Sequence, residues 1–170
     1  DPHHIGQLAD AIEGGLEAVD VVVCTHLHFD HVGWNTIRDP FTGGLVPTFP
    51  NASYLMSEDE LENFAEHDHS GIAGVSVDPL VAAGCLRAVD SNHRVSDSVS
   101  LVATPGHSPG HVSVAISSNG SRALITGDVV HTPIQFLRPD ITADRFDADS
   151  EHAVLTRRRV IDDVADGDTL

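Results

Sequence analysis

Apolar and polar positions follow two periods along this chain, and the changes from one to the other divide it into predicted elements. Leu8, Ala11, Ile12 and Leu16 recur at helical spacing, and Gly14-Gly15 weakens the end of that helix. Asp20 then opens a strand through the apolar run Val21-Val22-Val23-Cys24. Val32 to Ile37 predicts a short helix, closed at Asp39-Pro40 because the residue before proline avoids helical geometry. Gly43-Gly44 through Pro50 reads as a Gly/Pro-punctuated loop. Its apolar residues, with Phe41, Leu45, Val46 and Phe49 prominent, either cap the core or line a pocket. Ala52 to Met56 predicts a strand, and Ser57 with Glu60 makes a capping box for a helix bearing Leu61 and Phe64. His67 and His69 end that helix, where the dipole favours a solvated histidine over a metal ligand. Gly71 and Gly74 then link to a short helix around Pro79 to Ala83.

From Cys85 the pattern turns to strands over Cys85–Val89, Ser98–Ala103, His111–Ile116 and Arg122–Thr126, the last two joined by a tight hairpin at Asn119-Gly120. Leu101, Ala103, Val112, Val114 and Ile116 alternate with polar positions, so one face of this sheet is wet or covered by a polar layer. A last helix, capped by Asp149 or Ser150, runs to about Val164 with Ala153, Val154, Val160, Ile161 and Val164 on its buried face. Arg157-Arg158-Arg159 on that helix reads as a solvated or ion-paired patch, with phosphate recognition as the sharper alternative.

Composition narrows the classes. The 170 residues suffice for one domain and contain no apolar run long enough to cross a bilayer. The chain begins at Asp1 without a leader or a methionine, so localisation stays open with the cytoplasm as the working expectation. The net charge is -17, from 26 acidic residues against 9 arginines with no lysine. Such a surface repels phosphate backbones and anionic lipid, which argues against nucleic acid and membranes as partners; a small-molecule substrate is the expectation. The same composition fits a GC-rich genome or adaptation to salt. Cys24 and Cys85 read as reduced, structural residues.

The candidate chemistry lies in Thr25-His26-Leu27-His28-Phe29-Asp30-His31, which places borderline metal ligands at the mouth of a buried strand. Its spacing lets His26 and His28 address one ion and Asp30 with His31 a second, as in two-metal hydrolases whose ions lie roughly 3.5–4 Å apart. Gly127-Asp128 follows Leu124-Ile125-Thr126 in the same strand-end position, either as a metal ligand or as a plain turn former.

Three stretches resemble the metallo-β-lactamase superfamily. His26-Leu27-His28-Phe29-Asp30-His31 matches its HxHxDH signature, Thr104-Pro105-Gly106-His107-Ser108-Pro109-Gly110-His111 resembles its second histidine motif, and Gly127-Asp128 is similar to its bridging aspartate. His31-Val32-Gly33-Trp34-Asn35-Thr36 and Val46-Pro47-Thr48-Phe49-Pro50-Asn51-Ala52 are closest in wording to the branch of quorum-quenching lactonases and methyl-parathion-hydrolase-like enzymes.

The resemblance implies an α/β (α+β) fold, the αββα sandwich of that superfamily. Here it is expected to be incomplete at both ends, lacking N-terminal strands and a downstream histidine motif beyond Asp168-Thr169-Leu170. It also implies a dinuclear zinc hydrolase in which His26, His28 and His107 hold one zinc, Asp30 and His31 the other, and Asp128 both. Hydroxide generated on zinc would open a small lactone, ester, thioester or amide, and Asp30 would also pass a proton to the leaving group. His111 is expected to orient a neighbour, while Trp34, Phe49, His131 and Phe136, with Gln135, are candidates to touch substrate. His152, at the start of the last helix, does not replace the missing histidine, so the second zinc is expected to bind more weakly. The branch often forms homodimers. The competing readings are a thioesterase or phosphotriesterase specificity, and an iron-binding redox or non-catalytic relative.

Overall fold

The computed structural model describes residues 2–67 and 71–165. The chain divides into two compact units, one made of Asp1–Met56 with Phe64–Ala88, the other of Ser57–Asn63 with Val89–Leu170.

In the first unit, helix α1 (Pro2–Ala11) ends before Gly14 and Gly15, whose φ of 86° and 69° only glycine adopts readily. The β-branched run forms β1 (Val21–Val23), which pairs in parallel with β4 (Ser53–Ser57) in the register Val22 to Tyr54. β5 (Leu86–Val89) completes the order β1-β4-β5. Tyr54, Leu55 and Met56 are buried on this sheet, and the Tyr54 hydroxyl accepts the Phe49 amide at 2.9 Å.

Between these strands the chain departs from expectation. The helix α2 (Phe29–Val32) starts inside the histidine-rich stretch, and Thr36–Arg38 is a strand, β2, paired antiparallel with β3 (Leu45–Pro47). Asp39 explains the difference. Its carboxylate accepts from the amides of Phe41 and Thr42 and from the Thr42 hydroxyl, at 2.7–3.0 Å, and so closes a hairpin where a helix stop was expected. Leu45 and Val46 are therefore strand residues, while Phe41 stands fully exposed at the tip. Further on, a π-turn (Ala73–Val77) leads into α4 (Asp78–Ala82), close to the expected helix. The side chain of His67, and His69 itself, lie outside the described residues, as do His3's side chain and the terminal Asp168-Thr169-Leu170.

The second unit holds the start of α3 (Glu58–His67), with the Glu60 amide donating to Ser57 Oγ as a helix cap. Its sheet is the meander β6 (Val99–Ala103), β7 (Val112–Ser118) and β8 (Ser121–Ile125), pairing Leu101 with Val114 and Val114 with Ile125. Asn119 and Gly120 both take the left-handed conformation, φ 52° and 80°, that a two-residue hairpin turn demands. Leu101, Val112 and Val114 are buried, and so is Ser113 between the last two, which places a polar layer on the other face of β7.

After the short α5 (Ile134–Leu137), the helix α6 (Ser150–Ala165) starts at Asp149, whose carboxylate accepts the His152 amide at 2.9 Å. Its buried face is Ala153, Thr156, Arg157 and Val160. The arginine run is thus not one solvated patch, because Arg157 is fully buried. Its guanidinium donates to the carbonyls of Val129, Pro139 and Ile141 at 2.8–3.0 Å, and Nη2 lies 3.9 Å from Asp147 Oδ2. No described helix is long and apolar enough to cross a membrane.

Two tests follow from this packing. Arg157→Met strips three carbonyls and a buried carboxylate of their cation and should lower unfolding free energy by about 3 kcal/mol or more, against about 0.5 kcal/mol or less for the exposed Arg158→Met, read by urea denaturation. Burial pushes the Cys24 thiol up to about 11 and the Tyr54 phenol up to about 12, from ordinary values of 9.0 and 10.0. Both groups are neutral when protonated, so folding favours the protonated form. The stability they contribute is complete below pH 9 and is lost as pH rises through those raised values. Urea midpoints should therefore fall steadily above pH 9, and fall less steeply in Tyr54→Phe.

Candidate metal centre

The first donor set is positioned by its apolar neighbours. Cys24, Leu27 and Val32 are buried and anchor the turn that follows β1, so the histidines between and beyond them are held close together. The His26 ring is itself buried, with Nδ1 3.1 Å from Thr25 Oγ1; its centroid lies 4.7 Å from that of His28 and 4.1 Å from that of His31. Asp30 is exposed, one oxygen 3.7 Å from His31 Nε2. Asn35 braces the turn from behind, donating to the Ser76 carbonyl and meeting Cys24 Sγ at 3.5 Å. Beside the donors, Phe29, Asp30, His31, Gly33 and Trp34 line an open pocket of about 460 Å³.

The second histidine motif connects β6 to β7 and is positioned by hydrogen bonds. Glu60, on the first turn of the helix that Ser57 caps, holds this motif. Its carboxylate accepts from Ser108 Oγ at 2.7 Å and from the Gly110 amide at 3.1 Å, while Ser57 Oγ donates to the Gly110 carbonyl at 2.6 Å. The two glycines of the motif allow this approach. A Cβ on Gly110 would sit 2.0 Å from Glu60 N, and one on Gly106, where φ is +134°, would sit 2.4 Å from Ala153 N.

These constraints place His107 with Nε2 3.4 Å from Asp128 Oδ2 and Nδ1 3.1 Å from both Asp147 Oδ1 and His131 Nε2. His131 Nε2 is 3.6 Å from the same Asp128 oxygen, and the donor atoms of His107, Asp128 and His131 all lie within 4.8 Å of one another. His131 is thereby grouped with metal-competent side chains, beyond the substrate contact expected of it.

His111 sits behind Asp128. Its Nε2 accepts the Asp128 amide at 3.1 Å, so Nδ1 carries the hydrogen and meets Thr104 Oγ1 at 2.8 Å. Thr104 continues to Ser113 Oγ at 3.0 Å, and Ser113 to the Thr126 carbonyl at 3.1 Å. Gln135 is buried; its side chain accepts the His131 amide and donates to the Ile141 carbonyl, so it braces this loop and is not placed for a substrate. Phe136 is half-exposed on α5, Trp34 is exposed beside His31, and Phe49 is half-buried at the end of its hairpin. Asp147 and the hydrogen bonds of Glu60 to the second motif escape the sequence reading, the first because it is one of several aspartates close together, the second because Glu60 already satisfies a capping pattern.

Imidazole and carboxylate donors gathered this closely, with no thiolate among them, suit zinc or another borderline divalent ion. Residues 3–166 match the Metallo-beta-lactamase superfamily, and the chain belongs to that family. Its mixed α/β class and fold follow the resemblance carried by the motifs.

The chain is similar to an N-acyl homoserine lactonase from a Bacillus species, 29% identical over 125 residues, covering 72% of this chain and 44% of that one. The N-acyl homoserine lactonase AiiA of Bacillus thuringiensis subsp. kurstaki is 30% identical over 125 residues, with the same coverage. Among solved structures, the hydrolase AbOPH of the beta lactamase superfamily superposes with a TM-score of 0.75 at 26% identity, covering 92% of this chain and 56% of that one. An N-acyl homoserine lactone hydrolase with N-hexanoyl-L-homoserine at its catalytic metal centre gives a TM-score of 0.69 at 25% identity, covering 95% of this chain and 57% of that one. The chain spans about half the length of the relatives it matches.

Because the motif backbone touches Glu60 directly, Gly110→Ala should cost about 3 kcal/mol or prevent folding, as read by urea denaturation, whereas Gly74→Ala, exposed, with open space around it and no left-handed backbone, should change stability far less.

Proposed function

We propose that this chain carries the metal-binding part of a zinc-dependent hydrolase that opens a lactone or ester of a small molecule. The observation that carries the reading is the pair of donor sets, His26, His28, Asp30 and His31 after β1 and His107, Asp128 and His131 about the second motif. It is supported by family membership and by relatives named as lactonases.

In the assignment carried by the motifs, His26, His28 and His107 would hold one zinc and Asp30 and His31 the other, with Asp128 available to both. When bound, zinc would lower the pKa of a water molecule from about 15.7 to about 7. The residues of the chain then do the rest. Asp30, exposed and on the first turn of α2, is free to carry a proton to the leaving alkoxide. His111 fixes the backbone of Asp128 and so the direction of its carboxylate. Trp34 and Phe29, exposed beside the donors, offer apolar surface to a substrate's acyl part. The branch's homodimer is part of this reading and is checked by light scattering.

Chelator-competition titration should give one tight zinc site, and a weaker second one to which this assignment lends only three donors; two equally tight sites would count against it. Metal-loaded protein should hydrolyse acyl lactones or aryl esters. Asp30→Asn should lower that turnover by about 100-fold or more with little change in urea midpoint. A visible iron absorption band without ester turnover would overturn the reading.

A further inference from the structure

The family motifs assign metal ligands, and none of them reaches Asp147. Its side chain is fully buried, although it lies in the acid-rich stretch Asp144–Asp149 where a solvated carboxylate is the ordinary outcome. One oxygen, Oδ1, lies 3.1 Å from His107 Nδ1. The other, Oδ2, faces Arg157 Nη2 at 3.9 Å, too far for a hydrogen bond and close enough for the two charges to attract. Arg157 does not move freely, because its other nitrogens are spent on the carbonyls of Val129, Pro139 and Ile141. The backbone that follows is fastened as well: Ala148 N donates to the His107 carbonyl at 3.0 Å and Asp149 N to that of Gly106 at 2.9 Å.

This arrangement decides which imidazole nitrogen carries the hydrogen. A carboxylate can only accept, so a bare Nδ1 would set two lone pairs against each other in a buried place. With the hydrogen on Nδ1, the Asp147 contact is a charge-assisted hydrogen bond, and His131 Nε2, also at 3.1 Å, can share the same hydrogen as a second acceptor. Nε2 is then left with its lone pair in the ring plane, on the side where Asp128 Oδ2 lies 3.4 Å away.

We propose that Asp147, anchored by Arg157, is the positioning residue of His107: it fixes the Nδ1–H tautomer and the ring plane, so that Nε2 is the atom presented to metal. The proposal rests on the reading of His107 as a zinc ligand. It makes that ligand's geometry depend on a loop and a helix that lie some 40 to 50 residues further along the chain.

The test separates the two readings. Asp147→Asn keeps the shape but can turn an N–H toward Nδ1, driving the hydrogen onto Nε2, where it blocks metal binding; in a serine-protease triad the same exchange leaves the geometry intact and selects the wrong tautomer. Nitrogen-15 NMR of the His107 imidazole in zinc-free protein, followed upward in pH until the chemical shifts report a neutral ring, should show Nδ1–H in the native chain and a shift toward Nε2–H in Asp147→Asn. Chelator competition should show zinc bound about 10- to 100-fold more weakly by that variant.

Nε2–H in the native chain would overturn the proposal, and that measurement needs no variant to fold. Native-like zinc affinity and tautomer in a folded Asp147→Asn would overturn it equally. His107→Ala is the control: if it leaves zinc affinity intact, the ligand assignment fails, while the His107 tautomer still decides the role of Asp147.

Discussion

A buried polar atom without a partner costs on the order of 1–3 kcal/mol, and at the head of the β6-β7-β8 sheet there are many such atoms in a small space. Thr104, His107, Ser108, His111, Ser113, Asp147 and Arg157 are all buried there. The route of the chain is the one that gives them partners in sequence: Thr126 carbonyl to Ser113, Ser113 to Thr104, Thr104 to His111, and His111 to the Asp128 amide. Asp128 takes φ -91° and ψ 26°, in the sparsely populated bridge region, and its amide is held there by His111. That chain of hydrogen bonds fixes the position of the strand end that carries Asp128.

The first motif solves the same problem by other means. Between β1 and α2 the fixed points are apolar, with Leu27 and Val32 almost without exposure, and the histidines take what direction those anchors leave them. Leu27 stands between His26 and His28, so burying it orients both neighbours. Backbone twist then brings His31 to within 4.1 Å of His26, centroid to centroid, once α2 has turned the chain. Hydrophobic anchoring leaves Asp30 open to solvent, whereas hydrogen-bond anchoring seals His107 away.

How much of this was legible in the sequence depends on how local its cause is. The Asn119-Gly120 hairpin, the valine strand and the strand-end placement of both ligand stretches follow from neighbours a few residues apart, and these came through. The β2-β3 hairpin did not, because Val32 to Ile37 supports either element and the deciding contact is the Asp39 carboxylate closing on Thr42. Arg157 shows a different failure. Its spacing from Ala153 and Val160 places it on the inward face, but charge argues for solvent, and only the three distant carbonyls reveal why spacing prevailed. Asp147 has no local signal at all among the acids around it. The loss is therefore concentrated in polar residues whose partners lie tens of positions away.

The approach of Gly106 to Ala153, with space for no side chain between them, ties the second motif to the last helix of the described chain. A polypeptide leaves the ribosome from its N-terminus, so the histidines after β1 emerge more than a hundred residues before α6 exists to brace Gly106 and His107. During synthesis the nascent chain thus displays one set of metal donors early and acquires the other only when translation is nearly past this segment.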